Sequence, residues 1–258
     1  MTPLAIGSRR RVIVALLLRE AQTRFGKTRL GYLWALIEPI SHVAVMSLVY
    51  WAINRMAPVG ASVVLFFVTG VLPYFLFQKV ALHLGGAVRS NQKLLRLPLV
   101  NTMNLVVSRA ALEGLTWIVV SALIFFALIT TGRAEPPEHP GACMVAAAAA
   151  FGLGCGVGLV NAVLMPIWPS WVQIYPTVTR PLYHFSAIFF FIDQIPSYLR
   201  DWLSWNPMVH AIQWFRQGYR DDYASTVLDE IYLLKWIAVT LLLGLCMERL
   251  AQRRLAEA

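Results

Sequence analysis

Charge is scarce in this sequence. Only 14% of its 258 residues are Asp, Glu, Lys or Arg, while 58% are hydrophobic. Soluble domains carry about a quarter charged residues, so a water-soluble fold of this length would lack the polar surface to cover its core. Cysteine is nearly missing as well. Cys143, Cys155 and Cys246 lie within or beside apolar runs, and an odd count without metal-ligand spacing argues against a disulfide framework and leaves small buried hydrophobes. His42, His83, His139, His184 and His210 are scattered, with no nucleophile motif beside them, so no catalytic residue and no metal site is expected. The close acidic pairs Asp221-Asp222 and Asp229-Glu230 read as solvated loop acids. A cleavable signal peptide is not evident either. Arg9, Arg10 and Arg11 precede the apolar run from Val12 to Leu18, but Arg19-Glu20 follows at once without a small-residue cleavage site.

What is present is a series of long apolar runs. A helix of about 20 apolar residues matches the hydrocarbon core of a bilayer, and it closes its own backbone hydrogen bonds where lipid offers none. The expected fold is an all-α membrane protein with six transmembrane helices at about 33–53, 62–82, 105–131, 143–166, 173–192 and 231–247. Residues 1–32 form an N-terminal cytoplasmic segment whose run Val12 to Leu18, too short to span, makes an amphipathic interfacial helix. Residues 248–258 form a cytoplasmic tail. The fourth span holds Gly152/Gly156 and Gly154/Gly158, small-xxx-small pairs that let helix backbones approach. The fifth is irregular, with Pro176, Arg180, Pro181 and His184.

The net charge of +9 would suggest nucleic acid on a soluble protein; its distribution here points to a membrane instead, and no nucleic-acid partner is expected. Basic residues gather at 9–29, in the loop with Arg89, Lys93 and Arg96, and in the tail with Arg249, Arg253 and Arg254. The opposite loops hold most of the acids. Short loops rich in Lys and Arg stay inside, so both termini face the cytoplasm, which requires an even number of spans.

Residues 193–229 do not resemble an ordinary loop. Pro196-Ser197 starts one short helix with Ser197 as N-cap, and Asn206-Pro207 starts a second that Gly218 ends. Trp202, Trp205, Trp214, Phe215, Tyr219 and Tyr223 make this hairpin aromatic, as suits an interfacial or re-entrant position; the plainer reading is a surface loop with an aromatic belt. The cytoplasmic stretch from Ala87 to Pro98 mixes Val88, Leu94, Leu95 and Leu97 with Arg89, Lys93 and Arg96. It reads as a docking helix for a motor subunit or as a solvated connector. Residues Ala21 to Thr28 fit a relaxed phosphate-loop pattern. That loop works only between a buried strand and a helix, and the chain enters its first span at once, so these basic residues are assigned to the membrane surface.

Charges at membrane depth face a partner or a cavity. Glu38, Glu113 and Arg180 are the main cases, with Lys235 near a span end. Arg180 either contacts anionic cargo or serves as a structural ion pair or snorkelling side chain. The aromatics Tyr32, Trp34, Tyr50, Trp51, Trp168, Trp171, Tyr175 and Tyr183 sit near span ends. They form an interfacial belt or, in part, line a conduit where sugar rings stack.

Arg19-Glu20, Arg24-Phe25-Gly26, Leu30-Gly31, Trp34 and Pro39, with Asn206-Pro207 and Trp214-Phe215-Arg216, resemble the signature of ABC-2-type permeases that export polysaccharides. The likeness covers essentially the full chain and is nearest to the capsular-polysaccharide (KpsM-like) permeases. It implies a homodimer in the bacterial inner membrane with two copies of a separate ATPase, so that no cofactor is bound by this chain and ATP and Mg belong to the partner. It also implies a periplasmic polysaccharide co-polymerase, an outer-membrane export channel and a lipid-linked anionic glycan as cargo. On that reading Arg24, Lys27 and Arg29 gather the cargo, and Arg180 and His184 with the aromatics of spans one and five line its path. Arg89, Lys93 and Arg96 receive the ATPase stroke, while Trp202, Trp205, Trp214, Phe215, Arg216 and Tyr219 form a periplasmic gate. O-antigen, teichoic-acid and other ABC-2 exporters are the near alternatives, and an ion-coupled carrier is the alternative outside the family.

Overall fold

The computed structural model describes residues 3–25, 31–57, 62–95 and 100–257, with side chains placed for 11–22, 33–57, 62–95 and 100–251. Lys27, Arg29 and Arg96 lie outside the described residues, as do the side chains of Arg24 and Tyr32. The described chain is helical: α1 Pro3–Phe25, α2 Gly31–Ala52, α3 Val63–Gly85, α4 Ala87–Ser90, α5 Gln92–Leu95, α6 Thr102–Thr130, α7 Pro140–Ile167, α8 Trp171–His184, α9 Ser197–Leu203, α10 Pro207–Tyr219 and α11 Glu230–Glu257. Local chemistry sets several boundaries. Ser62 and Asn101 accept from the backbone N–H groups of Leu65 and Asn104 at 3.1 and 2.8 Å, which satisfies donors that an open helix start leaves bare. Pro140 and Pro207 occupy first-turn positions where no N–H is needed.

Among the described residues, five helices are long and apolar enough to cross a membrane: Leu33–Ala52 within α2, then α3, α6, α7 and Glu230–Ala251 within α11. They are not equivalent. In α3, 72% of the most apolar window is buried, against 17% in α2, 22% in α6 and 11% in α11. Helix α3 is therefore the hub, α7 at 50% is intermediate, and α2, α6 and α11 present broad apolar faces outward. Its most extensive partner is α7, which packs in turn on α11 and α10. Phe66, Phe67, Tyr74 and Phe75 of α3, Ala150 and Leu153 of α7, and Met208 and Ile212 of α10 share one buried cluster.

The glycines of α7 explain this closeness. A methyl group at Gly154 would stand 2.9 Å from the carbonyl oxygen of Phe77, and one at Gly158 would stand 2.7 Å from Leu84 Cβ, both on α3. Gly152 and Gly156 meet Ile237 and Thr240 of α11 instead. The two small-residue pairs thus serve two different neighbours from two faces of one helix.

Several expectations need correction. The expected fifth span, 173–192, holds only the 14-residue α8 and then irregular backbone from Phe185 to Phe191. Fourteen residues reach about 21 Å, short of the roughly 30 Å hydrocarbon layer. Ser197 is the first residue of α9 rather than its cap, because Pro196 takes the cap position without a side-chain bond. Gly218 lies inside α10, where a methyl group would come within 2.8 Å of the Cys143 backbone nitrogen. It is a packing glycine and not a terminator. The docking stretch folds as two single turns broken at Asn91 rather than one helix. Helix α11 runs ten residues past the expected end of its span, and Cys246 on it is exposed rather than buried.

Adding one methyl group tests the helix contact. Gly158→Ala is expected to lower stability by about 1–3 kcal/mol through overpacking, read as a fall in the thermal unfolding temperature in detergent. Gly141→Ala, whose added methyl meets nothing within 4 Å, is expected to cause no loss.

Candidate functional site

The irregular stretch 185–191 sits where backbone carbonyls have no helical partner, and Arg216 meets them. Its side chain is fully buried. Nη1 donates to the Ala187 carbonyl at 2.7 Å, and Nη2 donates to the Ile188 and Phe66 carbonyls at 3.1 and 3.3 Å. The guanidinium carbon lies 4.0 Å from the Phe66 ring centroid, so a π-face balances the remaining charge. Ala187 adopts φ 60°, a left-handed conformation rare for a residue with a Cβ. The bond to Arg216 holds that turn. Gly70 makes room for it, because a methyl there would stand 2.8 Å from Nη2. Sequence reasoning put Arg216 at a gate; the fold puts it at a joint between α3, α10 and the stretch after α8.

The rest of the hairpin divides sharply. Phe215 and Tyr219 are buried, and the Tyr219 hydroxyl donates to the Glu135 carbonyl at 2.7 Å. Trp214 is half-buried. Trp202 and Trp205 of α9 and its following turn are exposed at 79% and 76%. Only α9 therefore presents aromatics outward. Helix α10 is a core element, drawn in by Met208, Val209, Ile212 and Phe215.

The expected path residues fall into two aromatic groups. Trp168 and Trp171 stack at 5.6 Å, Trp171 lies 6.5 Å from Tyr175, and Trp171 Nε1 donates to Asn161 Oδ1 at 2.9 Å. Toward the other end of α8, Tyr183 contacts His42, Tyr74, Phe75, His184 and Phe189 at centroid distances of 5.1–6.0 Å. Tyr50 is buried beside Phe67, and its hydroxyl donates to the Phe189 carbonyl. Trp34 and Trp51 point outward from α2, 66% and 78% exposed. Arg180 and His184 are exposed on α8. The side chains of α2, α3 and α8 thus line one seam, whose outward face carries Arg180.

Three acids on the helices, of which Glu113 is buried, have partners that the sequence does not announce. Lys79 Nζ lies 2.6 Å from Glu38 Oε1, joining α3 to α2. His83 Nδ1 lies 2.8 Å from Glu113 Oε1, and Glu113 is fully buried. Arg109 pairs with Glu20 and also donates to the His83 carbonyl at 3.0 Å. Arg19 donates to Asn91 Oδ1 at 3.0 Å. This network ties α1 to α6 and to the α4–α5 turns, leaving Arg89 and Lys93 exposed on the turns themselves. At the hairpin end, Arg220 meets Glu135 and Asp222 at 3.7 and 2.9 Å, and His139 meets Asp221 at 3.1 Å. His210 there is buried and held below the usual imidazole pKa by desolvation, against the raising effects of the Ser204 carbonyl and Asp229. Among the described residues no group of three or more His, Cys, Asp or Glu is placed to hold a metal ion.

A hub helix, glycine-packed neighbours and a half-buried helical hairpin in front of the last span make up an all-α polytopic membrane domain. Residues 11–219 match the ABC-2 type transporter family, and the chain belongs to that family. Among its relatives is the polysialic acid transport protein KpsM of Escherichia coli, 32% identical over 238 residues, which are 92% of each chain. The capsule polysaccharide export inner-membrane protein CtrC of Neisseria meningitidis serogroup A is 31% identical over 92% of this chain and 89% of its own. The corresponding protein BexB of Haemophilus influenzae is 25% identical over the same shares.

Replacing Arg216 by Met is expected to leave buried carbonyls unsatisfied, at about 1–3 kcal/mol each. The variant should lose most folded protein in detergent-solubilised chromatography. Arg216→Lys, which cannot fork between carbonyls, is expected to recover only part of it. Trp202→Ala, at an exposed position, should stay within about 0.5 kcal/mol of the parent.

Proposed function

We propose that this chain is the membrane-spanning subunit of an ATP-driven exporter that moves a lipid-linked anionic capsular polysaccharide across the bacterial inner membrane. The observation that supports it most is the match over 92% of the chain to a polysialic acid transport protein, with capsule-export permeases at lower identity. The working unit is a homodimer with two ATPase subunits, which bind and hydrolyse ATP. A periplasmic co-polymerase and an outer-membrane channel continue the route.

Six crossings fit this reading if α8 and the stretch 185–191 together make the fifth. Both termini then face the cytoplasm, as the distribution of Lys and Arg requires. Helix α1 lies along the inner interface, held by Glu20 and Arg109. Arg24, Lys27 and Arg29 gather the anionic lipid end of the cargo by charge. The exposed Trp34 of α2, the Trp168–Trp171 pair and the seam of Tyr183 with Arg180 face the path, where ring faces and one cation suit an anionic glycan. Arg89 and Lys93, exposed on turns anchored through Asn91, receive the ATPase stroke. Arg19 transmits that stroke to α1 through its bond to Asn91. The α9 aromatics Trp202 and Trp205 border the outer exit.

A deletion strain is expected to accumulate intracellular capsular polymer and to regain surface polymer on complementation. Arg89→Glu with Lys93→Glu should cut copurifying ATPase by about tenfold while leaving the permease folded, since both side chains are exposed. A deletion strain with normal surface capsule and no internal polymer would overturn the cargo assignment. Undiminished ATPase recovery from the double variant would overturn the docking assignment.

A further inference from the structure

Behind the hairpin, a cavity of about 610 Å³ opens between the turn after α9, the segment 226–229 and the first two turns of α11. That size is typical of small-ligand pockets. Its principal walls are Arg200, Asp201, Trp205, Asp229, Tyr232 and Trp236. None of these carries the packing of the core described above.

The walls are fixed before any ligand arrives. The Tyr232 hydroxyl donates to the Trp205 carbonyl at 2.8 Å, which ties α11 to the turn after α9. His210 forms the back. Its Nδ1 accepts from the Asp229 backbone N–H at 3.0 Å, so its proton sits on Nε2, which donates to the Ser204 carbonyl at 2.7 Å. An imidazole that accepts on one nitrogen and donates on the other is neutral. The charges of the cavity are therefore one guanidinium, Arg200, and two carboxylates, Asp201 and Asp229. Arg200 has no carboxylate within ion-pair distance among the described residues, and Asp229 uses Oδ1 to accept from the Tyr232 N–H at 2.8 Å.

This charge pattern decides between ligand classes. Two carboxylates beside one cation repel a polyanion, so the exported glycan is a poor fit. A zwitterion fits. Its phosphate meets the Arg200 fork in bidentate geometry. Its ammonium meets the carboxylates and the ring faces of Trp205, Tyr232 and Trp236, the last two 6.4 Å apart and nearly perpendicular. Position agrees with chemistry. Tyr232 and Trp236 lie in the first two turns of the membrane-spanning stretch Glu230–Ala251, the depth at which Trp and Tyr meet headgroups.

We propose that this cavity binds the phosphate–ammonium headgroup of an aminophospholipid drawn from the surrounding leaflet. A lipid seated there bridges α9 to α11, and so fastens the outward-facing half of the hairpin to the last span.

The test is lipid retention by the purified full-length protein in native mass spectrometry. Phosphatidylethanolamine should be retained at about tenfold lower concentration than phosphatidylglycerol. Arg200→Ala and Asp201→Asn should each remove that preference, and both positions are open enough to leave folding intact. Phosphatidylethanolamine should also raise the unfolding temperature of the parent and not of the variants. Water-soluble glycerophosphoethanolamine should compete only far above the lipid concentration; competition at equal concentration would overturn the membrane as source. Equal retention of the two lipids, unchanged retention in both variants, or displacement by a short oligosialic acid would overturn the site itself, the last in favour of an anionic glycan. The outcome does not depend on the exported cargo, because a deletion strain with normal capsule would leave lipid retention unaltered.

Discussion

Inside a bilayer, every backbone N–H and C=O must find its partner within the protein. The whole hairpin end of this chain is arranged around that demand. Helix α8 stops at His184, and the carbonyls of Ala187 and Ile188 then lie buried without a helical partner. One guanidinium serves both and reaches Phe66 on α3 as well. The cation is compensated by three neutral carbonyls and a ring face rather than by a carboxylate. Breaking off a helix inside a membrane protein is thereby made compatible with a dry core, and α10 is drawn into the interior to deliver the side chain that does it.

The same economy governs the opposite end. Glu38, Glu113 and Glu20 each meet a basic side chain, and Arg109 also satisfies the His83 carbonyl. These pairs join different helices, so they set registers between α1, α2, α3 and α6 that apolar contacts alone would leave free to slide. Helix α7 sets distances instead, with one glycine pair against α3 and the other against α11.

Much of the architecture was legible in the sequence because it is local. Span positions follow hydropathy. Gly152/Gly156 and Gly154/Gly158 announce close approach. Asn206-Pro207 announces a helix start, and Asn206 does cap α10 by accepting from Met208 N–H at 3.0 Å. The larger misreadings are tertiary, whereas the cap of α9 at Pro196 is a local one. The run from Phe185 to Phe191 is as apolar as a helix, and nothing within it says that Arg216 will accept an irregular turn there. Gly218 looks like a helix stop until α7 is seen against it. Phe215, Arg216 and Tyr219 share a segment with Trp202 and Trp205, yet only the latter two face outward, because α9 and α10 have opposite environments. Among candidate path residues, Tyr50 and Tyr175 are packed inside while Trp34 and Arg180 face out, a division that hydropathy near a span end does not encode.

The contact between Gly70 and Arg216 has a consequence for how this protein can change over time. The space the guanidinium occupies exists only while position 70 has no side chain, and the turn at Ala187 holds only while the guanidinium is there. A drift at any one of the three sites therefore exposes the other two to selection at once. They form a single heritable unit written in three separated places, and a hairpin without an arginine at position 216 would leave the turn at Ala187 and the space beside Gly70 without their shared partner.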